Sequence, residues 1–476
     1  MSSLKFGTSG LRGLVTDLVG GPSQTYTAAF LEHLSESGRP ARAILIGSDL
    51  RSSSPRIAGD CAQAARRLGV EAIHCGEVPT PALAAEARRR GLPAIMVTGS
   101  HIPEDRNGLK FYSAQGEITK EDEAGIQTAR AALSFDEQPD ASGDGSWTED
   151  AHEATVLAYH SRNVDFFGRG SLRGLSVGVF EHSSVGRDLL ADVLTDLGAS
   201  VTRLGRADRF VAVDTEAHSP ENRAAIREWA SRNQFDAVVS MDGDADRPLV
   251  ADEQGTIVSG DILGLVAARF LGASVVVTPV TSSSSIERIM QPSGATVVRT
   301  RVGSPYVLAA MESCASDRGP IVGFEANGGV LLGSDISRSH RPLAALPTRD
   351  AFLPILVALS EIQVRQTALS RIVADLRVGF TAAGRLQDVA AERSTPFLEG
   401  LHQVEFRSAF FQDLPAVADF NVLDGVRVQF VDGSVVHFRA SGNAPELRCY
   451  IEAGTRAEAD ALLDKSLAAA AKALAR

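Results

Sequence analysis

The chain has 476 residues of ordinary apolar content and a net charge of −12, enough for three or four domains and the wrong sign for a nucleic-acid partner. No stretch approaches 18 uninterrupted apolar residues, which argues against a spanning helix or any membrane partner, and the start, Met1-Ser-Ser-Leu-Lys-Phe-Gly-Thr, has no apolar signal-peptide core. Cys61, Cys75, Cys314 and Cys449 show no C-x-x-C spacing and fit reduced, structural thiols in a cytoplasmic protein, and an anionic ligand would need local Arg and Lys clusters against the acidic field.

Phe6-Gly-Thr-Ser-Gly-Leu-Arg-Gly comes first, with small residues that free backbone N–H groups and one guanidinium, Arg12; this is the composition of a generic anion cradle. Three regions then repeat one theme. Each begins with an apolar β-branched run that breaks into a serine-rich loop: at 43–54, at 175–184 and at 274–285. A helix-like segment follows each loop, with serine as its natural N-cap. A second strand follows a glycine (68–74, 197–202, 293–298), and a third ends in a polar loop (92–101, 235–246, 318–329). Strand–helix–strand alternation means parallel α/β sheets, with ligands collecting outside the carboxyl ends of the strands.

The three polar loops carry the candidate chemistry. In Thr98-Gly-Ser-His-Ile-Pro-Glu-Asp-Arg-Asn-Gly-Leu-Lys-Phe, Ser100 is a candidate nucleophile on a sharp turn, with His101 and Lys110 as candidates for proton transfer. A capped helix start with a solvated His and Lys is the plainer reading. In Met241-Asp-Gly-Asp-Ala-Asp-Arg-Pro, Asp242, Asp244 and Asp246 alternate with the two smallest residues. Alternate residues of an extended run point the same way, and a slight curl gathers three carboxylates around a hard cation such as Mg²⁺. Arg247 follows, and its planar fork suits a phosphate oxygen. In isolation an acidic surface turn explains the run equally well. A calcium loop of the EF-hand type is rejected: Arg247 stands where its sharp-turn glycine belongs, and the flanks read as strands, with Gln254-Gly-Thr-Ile-Val as a turn and another strand. Gly323-Phe-Glu-Ala-Asn-Gly-Gly offers Glu325 and Asn327, a carboxylate and an amide suited to sugar hydroxyls, or a simple turn.

Residues 134–152 are polar and turn-rich, as a linker would be; another break falls near Gly255. After about residue 370 the pattern changes. Asp424-Gly-Val-Arg-Val-Gln-Phe-Val-Asp-Gly-Ser-Val-Val-His-Phe-Arg reads as a hairpin turning at Asp432-Gly433, and residues 457–476 as a packing helix. Between them, Arg439 and Arg448 flank Ser441, Gly442 and Asn443, a strong phosphate-clamp composition. The tail is a separate α+β domain.

These motifs, in this order, resemble the α-D-phosphohexomutase family, and the resemblance covers nearly the whole chain. Its strongest pieces are FGTSGLRG, TGSHIPEDRNGLKF, DGDADR and RASGNAPELR. It implies three related mixed or parallel-sheet α/β domains plus a C-terminal α+β domain around a central cleft, here 1–150, 151–255, 256–370 and 371–476. By the same resemblance Ser100 is a phosphoserine whose oxygen joins Asp242, Asp244 and Asp246 on Mg²⁺. Arg12, Lys110 and Arg247 surround the reacting phosphoryl group, with Lys110 and His101 as acid/base candidates. Glu325, Asn327 and Gly303 would hold the sugar; Arg439, Ser441, Gly442, Asn443 and Arg448 would hold the phosphate that is not reacting.

The implied reaction interconverts mannose 6-phosphate and mannose 1-phosphate through a hexose 1,6-bisphosphate, which also serves as activator. A phosphoglucomutase or a dual-specificity mutase is the alternative; a Mg²⁺-dependent sugar phosphatase and a non-catalytic sugar-phosphate sensor are readings from other classes. The implied partners are small-molecule hexose phosphates, and the implied state is monomer or dimer. The chain departs from the family pattern at several points. Gly99 and Ile102 replace the Ala and Asn that many relatives carry in the serine loop. Asn327 stands for a Ser, and Gly329 for a His, which excludes a His-based proton relay there. Asn443-Ala-Pro replaces Thr-Glu-Pro in the clamp.

Overall fold

A computed structural model describes residues 3–7, 10–133, 147–216, 218–314, 319–441 and 445–475. They gather into two compact units, Met1–Val277 with Gly303–Val373, and Thr278–Val302 with Ala374–Arg476.

The first unit contains three sheets built on one plan. In the first, Ala43–Ser48, a run of six buried residues, lies parallel to Glu71–Glu77 on one side and Ala94–Val97 on the other. Continuous apolar runs of this kind suit strands covered on both faces. Beyond Ala94–Val97 come Arg106–Ser113, Gly10–Leu14 and Lys5–Gly7, each antiparallel to its neighbour. In the second sheet, Ser176–His182 lies parallel to Ser200–Arg206 and Ala237–Met241, and Pro248–Ala251 returns antiparallel. In the third, Val275–Pro279 pairs parallel to Ile321–Phe324, followed by antiparallel Val330–Leu332 and Leu346–Asp350.

The sheets are thus mixed, and the place where the direction changes is the same each time. The last parallel strand turns straight back through a hairpin, and the hairpin loop is the polar loop: between Ala94–Val97 and Arg106–Ser113, between Ala237–Met241 and Pro248–Ala251, and between Ile321–Phe324 and Val330–Leu332.

Three local expectations need correction. The serines before the repeat helices do not cap them. The N-cap positions are Ser53, Gly186 and Ser284, and none makes a side-chain cap bond. The serines tie the loops elsewhere: Ser54 Oγ donates to Asp49 Oδ1 at 2.7 Å, and Ser184 Oγ donates to the carbonyl of Asp242 at 2.8 Å. After the acidic run the strand is Pro248–Ala251, not Gln254–Val258, which forms a turn with one bridge from Ile257 to Ala251; a proline opening an edge strand forfeits no ladder bond. Of the stretch read as a linker, residues 134–146 lie outside the described residues, and Glu149–Asp150 is held as a parallel strand against Ile73 and His74.

The second unit is an antiparallel sheet in the order Phe380–Gln387, Glu446–Ala453, Val435–Ala440, Val426–Phe430 and Val417–Asn421. The hairpin turn falls at Asp432-Gly433 as expected, with Gly433 at φ +86° and Ser434 N–H donating to Asp432 Oδ1. Helices Ala391–His402 and Arg456–Leu474 cover a core that includes Phe397, Phe430, Phe438 and Ile451. Residues 278–302 belong here as well: Ser283 Oγ and Ser284 N–H both donate to Glu452.

Candidate functional site

Two hairpin loops of the first unit meet through hydrogen bonds between their side chains. Ser100 Oγ donates to Asp242 Oδ2 at 2.6 Å, and both residues are fully buried. Ser100 sits at φ +56°, a left-handed conformation that costs a non-glycine residue about 1–3 kcal/mol unless its surroundings enforce it. They do so here. Ser100 N–H donates to Thr98 Oγ1, and the guanidinium of Arg51 donates to the carbonyls of Ser100, Ile102, Pro103 and Arg106 at 2.6–3.1 Å. Arg51 is itself buried, paired with Asp49 and stacked on Phe210. A Cβ on Gly99 would lie 2.7 Å from that guanidinium, so the departure at Gly99 leaves the clamp its room.

The acidic loop is a tight turn rather than an extended run. Asp242 N–H donates to the Arg247 carbonyl, Ala245 N–H to the Asp242 carbonyl, and Ala245 lies at φ +60°. Gly243 is required: a Cβ there would come within 2.6 Å of the Ser100 carbonyl. The turn still brings one oxygen from each of Asp242, Asp244 and Asp246 within 4.8 Å of the others.

The individual oxygens show what the cluster is built for. Asp242 Oδ1 accepts the N–H groups of Asp246 and Arg247. Asp244 Oδ2 accepts from Thr80 Oγ1 at 2.6 Å and Lys110 Nζ at 2.5 Å; Asp246 Oδ2 accepts from Lys110 Nζ at 2.6 Å and Arg349 Nη2 at 2.7 Å. Asp244 Oδ1 and Asp246 Oδ1 are buried without a hydrogen-bond partner. Orphaned buried carboxylate oxygens are costly, and two of them beside Asp242 fit the oxygen set a hard cation takes.

Electrostatics separate the three carboxylates. Burial and the charges of Asp244 and Asp246 push Asp242 well above the usual carboxylate range. Burial also raises Asp246, but Arg349, Lys110 and Arg247 together pull it well below. His101 Nδ1 lies 3.3 Å from Ser100 Oγ and accepts from Arg247 Nη1 at 3.0 Å. Burial, followed by the charge of Arg247, pushes its pKa down to about 3, so the imidazole is neutral at pH 7. Burial and the neighbouring Arg247 lower Arg12 to about 10, with Asp244 and Asp246 opposing. The structure therefore brings Arg12, Ser100, His101, Lys110, the three aspartates and Arg247 together.

Glu325 joins the same cluster through Arg349, whose Nη1 donates to Glu325 Oε2 at 3.0 Å. Asn327 shapes its own loop, accepting Gly329 N–H at 3.1 Å and donating to Glu325 Oε2 at 3.4 Å. A Cβ on Gly329 would lie 2.7 Å from the Asp246 carbonyl, which leaves no space for a His there. Gly303 caps the helix Ser304–Ser313 at φ +128°; its neighbour Ser304 donates to Glu117, not to Glu325.

In the second unit, Arg439 and Arg448 are direct cross-strand partners at the base of a hairpin closed by Ser441 N–H on the Glu446 carbonyl. Gly442 and Asn443 lie outside the described residues. Arg385 is the next partner of Arg448 across the sheet, so three arginines form a row. Like charges directly opposite repel; Asp424 beside Arg439 and Glu446 beside Arg385 offset part of this.

Sequence reasoning missed Arg51, Thr80, Arg349 and Arg385. Arg51 had a faint signal, a charged pair (Asp49, Arg51) just after the largely apolar strand Ala43–Ser48. The other three carried none, because each acts through partners remote in sequence.

Comparison with known proteins gives matches along the whole chain. Four domain models of the phosphoglucomutase/phosphomannomutase family match: alpha/beta/alpha domain I at residues 3–137, domain II at 157–255, domain III at 259–378 and the C-terminal domain at 401–469. A phosphomannomutase of Sinorhizobium fredii is 46% identical over 98% of both chains. A phosphomannomutase of Salmonella muenchen is 41% identical over 96% of this chain and 94% of its own. Among solved structures, a phosphoglucomutase/phosphomannomutase family protein from Burkholderia thailandensis superposes with a TM-score of 0.78 at 21% identity, covering 98% of this chain and 97% of its own. This last likeness concerns the four-domain α/β fold. No helix among the described residues is long and apolar enough to cross a membrane.

Proposed function

The chain belongs to the phosphoglucomutase/phosphomannomutase family, and on that premise we propose that it interconverts mannose 6-phosphate and mannose 1-phosphate through a phosphorylated Ser100. The observation that carries this reading is the Ser100 Oγ–Asp242 bond beside two orphaned carboxylate oxygens. Asp242, Asp244 and Asp246 would hold a divalent cation, which we take to be Mg²⁺. When bound it neutralises charge on the transferring phosphoryl group. Full-length phosphomannomutase relatives at 41% and 46% identity support mannose over glucose.

In the first half-reaction the P–O bond to Ser100 breaks and a bond to a hydroxyl oxygen of the hexose monophosphate forms, giving a hexose 1,6-bisphosphate. In the second, the intermediate turns end for end, the P–O bond at its other phosphate breaks, that phosphoryl group bonds to Ser100 Oγ and the freed sugar oxygen takes a proton; free bisphosphate phosphorylates Ser100 by the same step and so serves as activator. Arg12 and Arg247 offset the charge of the phosphoryl group, as preorganised cations do in phosphoryl transfer. Lys110 is the first candidate for moving the hydroxyl proton; His101 lies 3.3 Å from Ser100 Oγ, but Arg247 occupies its Nδ1 and a pKa of about 3 leaves it a poor base. Glu325 accepts from sugar hydroxyls. The Arg439–Arg448 hairpin takes a phosphate group through Arg439, Ser441, Gly442, Asn443 and Arg448.

The test is a coupled assay on the phosphates of mannose, glucose, glucosamine and N-acetylglucosamine, with intact-mass measurement of the protein. The expected result is a preference for mannose, substoichiometric phosphate on Ser100, and loss of both turnover and the added mass in Ser100→Ala. A clear preference for an amino sugar overturns the substrate assignment. Near-normal turnover of Ser100→Ala with bisphosphate present overturns the nucleophile.

A further inference from the structure

One guanidinium joins the acidic loop to the sugar loop. Arg349 is 1% exposed; its Nε and Nη2 donate to Asp246 Oδ2 at 3.1 and 2.7 Å, while its Nη1 donates to Glu325 Oε2 at 3.0 Å. The guanidinium is planar and rigid, so it fixes how far apart the two carboxylates stand. At both ends it also selects the oxygen. Lys110 likewise meets Asp246 on Oδ2, leaving the buried Oδ1 orphaned. Among the described residues, the hydrogen bonds to Glu325, from Arg349 and Asn327, both fall on Oε2, which leaves Oε1 to a ligand hydroxyl.

The arginine cannot drift, because its strand is pinned on both sides. In Leu346–Asp350, Thr348 Oγ1 donates to Glu117 Oε1 at 2.8 Å and Asp350 Oδ1 accepts from Tyr159 OH at 2.6 Å. Three successive residues thus reach all three repeats of the first unit: Thr348 the first, Arg349 the second and third, and Asp350 the second.

We propose that Arg349 is the positioning residue that sets the sugar-binding carboxylate Glu325 against the metal-binding carboxylate Asp246, so that hydroxyl recognition and phosphoryl transfer share one fixed frame. This rests on the mutase reading above. In this assignment Arg349 acts through its bonds to Glu325 and Asp246 rather than on substrate or metal directly.

The experiment is a double-mutant cycle on the full chain at saturating Mg²⁺, with Arg349→Met, Glu325→Gln and the pair. Each single change is expected to raise KM for the hexose phosphate about tenfold, and the pair to raise it no more than the worse single change, because with Mg²⁺ saturating the effect of Arg349 on KM runs through Glu325. Arg349→Lys keeps one charged donor, which reaches one carboxylate but not both, so it is expected to fold and to recover part of the loss; it stands in if Arg349→Met does not fold. Additive losses in the cycle, or an unchanged KM with only a lowered melting temperature, overturn the proposal. The cycle is run on whichever hexose phosphate the wild type turns over, so a wrong sugar leaves it intact. A wild type that interconverts none overturns the mutase reading before any variant is made.

Discussion

His437 shows how far burial alone governs a side chain here. It donates Nε2–H to the Asp424 carbonyl at 2.6 Å with Nδ1 buried and unpartnered. Burial is the largest cause holding its pKa down from 6.5 to about 4. A histidine with a folded pKa below its unfolded one binds fewer protons when folded. Its contribution to stability is therefore full above about pH 6.5 and is lost as pH falls toward 4. Between pH 7 and pH 5 the loss comes to about 2 kcal/mol. His437→Gln is expected to remove that part of the pH dependence, measured by urea denaturation at both pH values; the same slope in wild type and variant would refute it. The same physics keeps His101 neutral at Ser100, where a fixed acceptor for Arg247 is useful. The burial was not visible in the sequence, where His437 stood as one alternating residue of a hairpin and His101 as a proton-transfer candidate beside Ser100. Burial of a single histidine is a property of the packed unit.

At the level of elements the recurring device is the hairpin. The serine, acidic and sugar loops each close the turn between a parallel strand and its antiparallel return, and the Arg439–Arg448 loop closes another in the second unit. A short hairpin loop is held at both ends by ladder bonds, so the groups it carries are well placed without a helix behind them. The parallel strands and their polar ends were legible because apolar runs ending in Ser, Asp or Gly have a strong local signature. The return strands were less so: Pro248–Ala251 opens on a proline, which reads as a break. Arg349 was invisible for a different reason. A lone arginine ahead of the apolar helix Phe352–Arg365 has no period to belong to, and its partners lie 24 and 103 residues away. In the second unit the hairpins rest on an aromatic cluster in which Phe438 packs edge-on against Phe397 and Phe410. Phe438→Ala is expected to destabilise that unit by about 3–5 kcal/mol, read as a lowered melting transition. A change under about 1 kcal/mol would show that the cluster is not its core.

On the scale of the whole molecule, the chain resolves its charge problem locally. It carries a net −12, yet around Ser100 it concentrates Arg12, Arg51, Lys110, Arg247 and Arg349 against a comparable set of carboxylates. Two units, each with its own apolar residues in the core, fit a chain of this length better than one continuous core. The sequence alone suggested a break after about residue 370; it could not show that Ser283 and Ser284 bond to Glu452, contacts that span more than 160 residues. Lys110, lodged between Asp244 and Asp246, has one more consequence. The sequence contains five lysines; Lys5, Lys120, Lys465 and Lys472 are exposed, and Lys110 is buried. An amine-acylating reagent should therefore mark those four in the folded protein and reach Lys110 only on unfolding, with peptide mass mapping as the readout; labelling of Lys110 as fast as Lys120 would contradict the burial. The acidic turn thus carries a counter-ion of its own, covalently tethered, so a chelator should leave the fold standing and the fifth amine silent.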